Sequence, residues 1–214
     1  MESSISDILI IGDSFCVDRN EIYDWPGVLN KKFSTSTLRG RGFPGCSFWP
    51  VRQLFYQEIA KKTPDLLILC HTTAGRYPCQ FGEPGGYTSN SGDKTFSTWF
   101  RKYFNFDFHI WAVHKWYDEL DSCLGNLQIP YIIHLFCFTE NRYLFKNGIT
   151  GTESLIEVHQ LCEKFHKTSG HKNNHFCKQD NIQIANILHK KIIQLPKGLN
   201  NTMVDFEFRK IYEK

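Results

Sequence analysis

A serine ends an apolar run near the start of the chain, in the stretch "DILIIGDSFCVDR", residues 7–19. A serine hydroxyl is a poor nucleophile until a nearby base takes its proton, and the end of a buried strand can present such a hydroxyl to a ligand. The alternative is structural, because serine at this position often caps the following helix. Ser14 is therefore a candidate nucleophile only if other chemistry-bearing residues share its edge of the fold.

Two later segments lie beside predicted elements. "GRGFPGCSFWP", residues 40–50, is rich in Gly and Pro and is predicted to be a loop. "NNHFCKQDNIQIANIL", residues 173–188, places His175 just before a predicted helix. Taken alone, His175 is an ordinary loop histidine.

The elements that would position these residues alternate along the chain. Buried strands are predicted at 7–11, 35–39, 64–71 and 129–138, helices at 25–33, 48–62, 108–126, 151–165 and 178–195, and a late edge strand at 203–212. This order is typical of a parallel α/β sheet with helices on both faces, in one domain. In such sheets ligands bind beyond the carboxyl ends of the strands.

In this order, "GDSF", "PGCS" and "NNHFCKQDNIQIANIL" resemble the SGNH (GDSL-type) hydrolase family over residues 7 to about 190. The resemblance implies a three-layer α/β/α domain with a parallel, flavodoxin-like sheet. It also implies a serine ester hydrolase that forms an acyl-enzyme on Ser14, with His175 as general base and the N–H groups of Ser14 and Gly45 as oxyanion donors. The expected substrate is a small acyl ester, with an O-acetylated carbohydrate as the favoured example.

The chain departs from the family pattern after the middle strand, where the family has an oxyanion-donating Asn. "CHTTAGR", residues 70–76, stands at this place, so Thr72 or Thr73 is expected to donate through its hydroxyl and Arg76 to supply positive charge. The predicted substrate-binding residues are Asp13, Arg76 and Tyr77.

A second departure lies three residues before His175, where the family has Asp and this chain has Lys172. A backbone carbonyl is expected to orient the imidazole instead, which gives a Ser–His dyad. Asp180 is a weaker candidate partner, because a carboxylate in the first turn of a helix also suits the helix dipole. The alternative function is a catalytically impaired protein of the same fold that binds a glycan or a partner protein.

An insertion at about residues 76–106 is rich in aromatic residues around the glycine-rich centre "GEPGGYTSNSG". Long loops of this kind often cover or line binding sites, and aromatic faces can stack on sugar rings. Equally, these residues can pack the loop onto the sheet. On the next helix, Trp111 and Trp116 are predicted to be core residues.

A metal site competes for the same histidine. "CEKFHKTSGHKNNHFC", residues 162–177, holds Cys162, His166, His171, His175 and Cys177 at spacings compatible with zinc. The first two also fit an amphipathic helix and no Cys-x-x-Cys pair occurs, so the favoured interpretation has no metal and no cofactor. The scattered cysteines are predicted to be small apolar core residues, namely Cys16, Cys46, Cys70, Cys123 and Cys137.

Composition narrows the class of partner. The net charge of +3 without a Lys/Arg stripe argues against nucleic acid, and no apolar run is long enough for a membrane span. The polar start "MESSISD" is not a secretory signal, so the eight cysteines are expected to be reduced thiols. The sequence predicts a protein of the cytoplasm, or one carried on a particle such as a virion, that acts on a small-molecule or glycan ester.

Overall fold

The computed structural model describes residues 5–17, 24–34, 36–40, 42–73, 76–78, 86–87, 94–139, 142–166 and 176–213. The strands are β1 (Asp7–Asp13), β2 (Thr37–Arg39), β3 (Gly42–Phe43), β4 (Leu66–His71), β5 (Tyr77–Pro78), β6 (Gly86–Tyr87), β7 (Tyr131–Phe136), β8 (Ile149–Gly151) and β9 (Thr202–Val204). The helices are α1 (Trp25–Lys32), α2 (Phe48–Lys61), α3 (Lys94–Tyr103), α4 (Phe106–Leu124), α5 (Leu155–His166) and α6 (Lys178–Gln194). Single 3₁₀ turns cover Ser14–Cys16 and Phe208–Ile211.

Seven strands form one parallel sheet in the order β2-β1-β4-β7-β8-β9, and β3 pairs with β1 beyond the end of β2. Without the short β3, the sheet strands run in the order second, first, third, fourth, fifth and sixth, which is the flavodoxin-like order. The predicted three-layer α/β/α fold is confirmed.

Both faces of the sheet are buried, which explains why the central strands are continuous apolar runs. Successive side chains of β1 point to opposite faces, so Ile8 and Ile10 join one core cluster while Leu9 and Ile11 join the other. The first cluster includes side chains of α1, α5 and α6, and the second includes side chains of α2 and α4. Among the described helices, none has the length and hydrophobicity needed to cross a membrane.

The predicted elements differ from the structure in the insertion, where α3 was not predicted, and near the C-terminal half of the sheet. The short β8 was not predicted, and α5 begins only at Leu155, after Ser154 accepts a hydrogen bond from the N–H of Glu157 at 3.4 Å. The predicted strand 203–212 is wrong beyond Val204. Phe206 and Phe208 are both buried with stacked rings 5.6 Å apart, so their alternation reflects core packing around a turn.

Glycines allow the backbone of neighbouring strands to crowd the end of β1. A Cβ on Gly12 would lie 2.2 Å from the carbonyl oxygen of Cys70, and a Cβ on Gly42 would lie 2.1 Å from the carbonyl oxygen of Asp13. Both contacts are with backbone atoms, which cannot move aside without breaking the sheet. The sequence "IGDS" thus needs glycine for packing as well as for a turn.

Replacing Gly12 by alanine tests this packing. We expect Gly12→Ala to lower the free energy of unfolding by about 3 kcal/mol or more, because the added methyl group collides with the backbone of β4. Gly27→Ala is the matched control, since Gly27 lies in α1 with nothing within 4 Å of its Cβ position. The free energy of unfolding of this control should rise by about 0.5 to 1 kcal/mol, because alanine has a better helix propensity than glycine. Urea unfolding followed by circular dichroism measures both, and equal stability of the two variants would contradict the packing account.

Candidate active site

The carboxyl ends of four neighbouring strands meet at one edge of the sheet. In the parallel registers Asp13 pairs with Phe43, Gly12 pairs with Cys70, and His71 pairs with Phe136. The residues that follow these strands therefore share that edge. The sequence-predicted site residues Ser14, Gly45, Thr72 and Thr73 all come from these segments.

The carboxylate of Asp13 is fully buried and fixes the turn that carries Ser14. Its Oδ1 accepts hydrogen bonds from the N–H of Phe15 at 2.9 Å and from the thiol of Cys137 at 3.1 Å. Its Oδ2 lies 3.7 Å from Nη1 of Arg76. This side chain has no exposed surface and holds the 3₁₀ turn in place, while its assignment to substrate binding stays a prediction.

The surroundings of Asp13 are unusually apolar for a carboxylate. Burial raises its pKa to about 6, against the lowering effects of the Phe15 N–H, Cys137, Arg76 and Thr72. Four buried cysteines belong to the same region, and the prediction that they are core residues is confirmed for Cys16, Cys46, Cys70 and Cys137, whereas Cys123 is half-buried. Burial, together with the negative charge of Asp13, raises the pKa of Cys137 well above its usual value, so that thiol remains a hydrogen-bond donor.

Ser14 and Gly45 have the local geometry that the candidate site requires. Ser14 follows β1 directly and keeps 6% of its surface exposed. Gly45 has φ of +69°, and nothing lies within 4 Å of its Cβ position, so the turn after β3 requires glycine and leaves open space beside it. Among the described residues, none accepts a hydrogen bond from the N–H of Gly45.

Thr72 and Arg76 bind the loop that carries Gly45. The hydroxyl of Thr72 donates to the carbonyl oxygen of Cys46 at 2.8 Å, so its one proton is directed at the backbone. Nη1 of Arg76 donates to the same oxygen and to Oγ1 of Thr72, each at 3.2 Å. The guanidinium also lies over the ring of Phe138 at 5.5 Å. Among the described residues, no acceptor forms a hydrogen bond with Nε or Nη2 of Arg76, so these groups are the ones available to a ligand.

His175 and Lys172 lie outside the described residues, as does the side chain of Tyr77. The structure does describe Phe176, which follows His175 directly. Its ring packs 5.8 Å from that of Phe15, the residue after Ser14, and 5.8 Å from that of His159. Phe176 therefore contacts the turn that carries Ser14.

Asp180 lies in the first turn of α6, as predicted. Its carboxylate contacts the side chains of Cys162, His166 and Cys177, away from the Ser14 turn.

Sequence reasoning missed two residues that shape the site, Cys137 and Phe138. Both directly follow the residues of β7, so their position after the third buried strand was a usable signal. The expectation for α4 was half right. Trp116 is buried at 5% exposure, but Trp111 is 55% exposed and is not a core residue.

Comparison of the chain with protein-family models, with curated proteins and with solved structures finds no match. The chemistry of the site rests on its own residues and their placement.

The raised pKa of Asp13 makes stability depend on pH in a defined direction. Between the ordinary pKa of 3.8 and the folded value of about 6 the folded state binds more protons than the unfolded state, so stability falls as pH rises through this window. Asp13→Asn removes this contribution. Between pH 4 and pH 7, we expect the free energy of unfolding of wild type to fall by at most about 3 kcal/mol relative to that of the variant.

Urea unfolding at pH 4, 5, 6 and 7 measures that difference. Asp107→Asn, in the exposed first turn of α4, is the control and should run parallel to wild type across this range. If the difference in free energy of unfolding between wild type and Asp13→Asn stays the same at every pH, folding does not raise the pKa of the Asp13 carboxyl.

Proposed function

We propose that the chain is a serine ester hydrolase of the SGNH type, which transfers the acyl group of a small ester to Ser14 and then to water. The observation that carries the proposal is the meeting of three separate segments at one edge of the sheet. Ser14 ends β1, Gly45 follows the adjacent β3, and Phe176, next to His175, packs on Phe15. A serine that only capped a helix would not require the other two segments to lie beside it.

The proposed reaction has two acyl-transfer steps. Oγ of Ser14 attacks the ester carbonyl carbon while His175 takes the hydroxyl proton. The tetrahedral intermediate collapses, the bond to the leaving alkoxide breaks, and His175 returns the proton to it as the alcohol departs. Water then repeats the sequence on the acyl-enzyme, which releases the carboxylic acid and restores Ser14.

The oxyanion of each intermediate requires donors fixed before the reaction begins. The N–H groups of Ser14 and Gly45 are the proposed backbone donors, and the positive φ of Gly45 supports this because the turn leaves open space beside it. Arg76 is the proposed replacement for the family's Asn. Its Nη1 is already anchored on the Cys46 carbonyl, which would hold the cation rigidly beside the Gly45 turn.

The substrate is proposed to be an acetyl or similarly small acyl ester on a carbohydrate. Only 6% of Ser14 is exposed, which favours a small acyl group. Helices α2 and α4 run from the carboxyl edge of the sheet, because each precedes a parallel strand. Large aromatic side chains are exposed within their first two turns, at 45% for Trp49, 42% for Phe106, 56% for Phe108 and 55% for Trp111. Such rings offer flat apolar faces for sugar rings at the edge where Ser14 lies.

A glycan-binding protein without catalysis is the second candidate. Arg76 favours it, because the side chain is mostly buried between Asp13 and Phe138 and occupies space next to the Ser14 turn. The exposed aromatic residues serve this function equally well. The two candidates differ in whether Ser14 reacts.

Reaction of Ser14 is the direct test. We expect wild type to hydrolyse p-nitrophenyl acetate and to be labelled by a fluorophosphonate on the peptide that contains Ser14. Ser14→Ala should lose both, because no hydroxyl remains to form the acyl-enzyme. Ser122→Ala, on the exposed face of α4, is the control and should match wild type. Equal hydrolysis by wild type and Ser14→Ala would refute the hydrolase and leave the binding protein.

The role of Arg76 predicts a kinetic signature. Arg76→Gln should reduce kcat by about 100- to 1,000-fold, the usual effect of losing one oxyanion donor, while KM changes little. Arg101→Gln in α3, which is exposed, is the control and should leave both constants unchanged. Steady-state kinetics on the same ester measures the split. An effect confined to KM would reassign Arg76 to substrate binding alone.

A further inference from the structure

We infer a zinc-binding site at the junction of α5 and α6, built from side chains that the hydrolase mechanism does not use. Its proposed ligands are Cys162, His166, Cys177 and Asp180. Two lie one turn apart on α5, and the other two are the residue before α6 and a residue of its first turn. The proposal is independent of the hydrolase function.

Three of the four side chains, those of Cys162, His166 and Cys177, point at one carboxylate oxygen of the fourth, Asp180. Oδ2 of Asp180 lies 2.7 Å from Sγ of Cys162, 2.9 Å from Sγ of Cys177 and 3.1 Å from Nε2 of His166. Nε2 of His166 lies 3.7 Å from Sγ of Cys177. Ligand atoms of Cys162, His166 and Asp180 all lie within 4.8 Å of one another.

These distances are close to those of a tetrahedral zinc site. Zinc bonds of about 2.3 Å to sulfur and about 2.0 Å to nitrogen or oxygen give a tetrahedron with edges of about 3.3 to 3.8 Å. The contacts to His166 already fall near this range. The two sulfur-to-oxygen distances are shorter by less than about 1 Å, so a small outward rotation of the Asp180 carboxylate would seat an ion.

The donor set selects the metal. Two thiolates and an imidazole are soft or borderline ligands that favour zinc over magnesium or calcium, and tetrahedral coordination with two sulfurs is typical of structural zinc. Cys162 and Asp180 are buried, whereas His166 and Cys177 are half-buried. A cavity of about 450 Å³ reaches His166 and Asp180 and gives the ion a path of entry.

The electrostatics of that cavity also suit the loaded site. Two thiolates and one carboxylate exceed the charge of Zn²⁺ by one negative unit. Lys190, Lys191 and Lys210 line the same cavity together with Glu207, which lies 3.8 Å from Lys191 and 2.8 Å from Lys210. These four side chains leave the lining with a net positive charge, which would offset the excess.

The unloaded cluster is poorly satisfied as a set of hydrogen bonds. The thiols of Cys162 and Cys177 both donate to the same Oδ2 of Asp180, and thiols are weak hydrogen-bond donors. The buried hydroxyl of Tyr212 has no hydrogen-bond partner of ordinary geometry in the described part of the chain. Next to a metal-bound Cys162 thiolate it would gain a strong acceptor, which is how groups outside the ligands commonly stabilise a metal site.

The test uses the full chain without a histidine tag, loaded with excess ZnCl₂ and then dialysed. Metal analysis should find about one zinc per chain in wild type and below about 0.1 in Cys162→Ser and in Asp180→Asn. Cys123→Ser, on α4, is the control and should retain wild-type zinc. X-ray absorption at the zinc edge should show two sulfur ligands at about 2.3 Å and two nitrogen or oxygen ligands at about 2.0 to 2.2 Å.

A spectroscopic measurement on wild type tests the zinc site even if one of the variants does not fold. Co²⁺ added to the metal-free chain should give the intense visible bands of tetrahedral coordination and a thiolate charge-transfer band in the near ultraviolet. Wild type that retains no zinc after dialysis would overturn the proposal. So would a zinc edge with a single sulfur ligand, since one of the two cysteines would then not bind the metal. Esterase assays have no part in these outcomes, so the two proposals fail separately.

Discussion

The site depends on a carboxylate placed where water cannot reach it. Asp13 ends β1 inside the sheet, and its burial costs free energy that only specific partners offset. One oxygen joins the N–H of Phe15 to the thiol of Cys137, so the turn after β1 is tied to the end of β7 across β4. The other oxygen attracts Arg76, which in turn holds the carbonyl of Cys46. A single buried charge thus links the ends of three strands and the turn after β3.

Much of the fold could be predicted because the strands are buried on both faces. The continuous apolar runs at 7–11, 64–71 and 129–138 fit strands of a central parallel sheet. The helices between them begin and end at clear sequence signals. The stop of α6 before Pro196 and the entry of α1 at Pro26 follow from the fixed φ of proline. The short β8, by contrast, has three residues, of which two are threonine and glycine, so no local pattern marks it. It exists because its neighbours β7 and β9 supply the hydrogen bonds.

The sequence predicted which backbone segments form the candidate site better than it predicted the directions of the side chains. Ser14 and Gly45 follow strands whose ends must meet, so their proximity needs only topology. The direction of the Thr72 hydroxyl depends on a carbonyl 26 residues away and leaves no trace in the sequence. The same holds for Trp111, whose helical spacing fits a core face although 55% of it is exposed.

The missing aspartate before His175 gives the two proposals a physical connection. A dyad without an orienting carboxylate needs its imidazole held by other means, because an unoriented imidazole loses much of its efficiency as a base. His166 and Cys177 bracket the segment that carries His175, with Nε2 and Sγ 3.7 Å apart. A zinc ion bound to both would close that segment into a loop with fixed ends, which lowers the entropy that must be lost when the imidazole reaches Ser14. Phe176, which directly follows His175 in the sequence, packs on Phe15, the residue after the proposed nucleophile. The bound zinc and the packing of Phe176 on Phe15 would then replace the orienting carboxylate of the SGNH family, since both restrict the positions that His175 can reach.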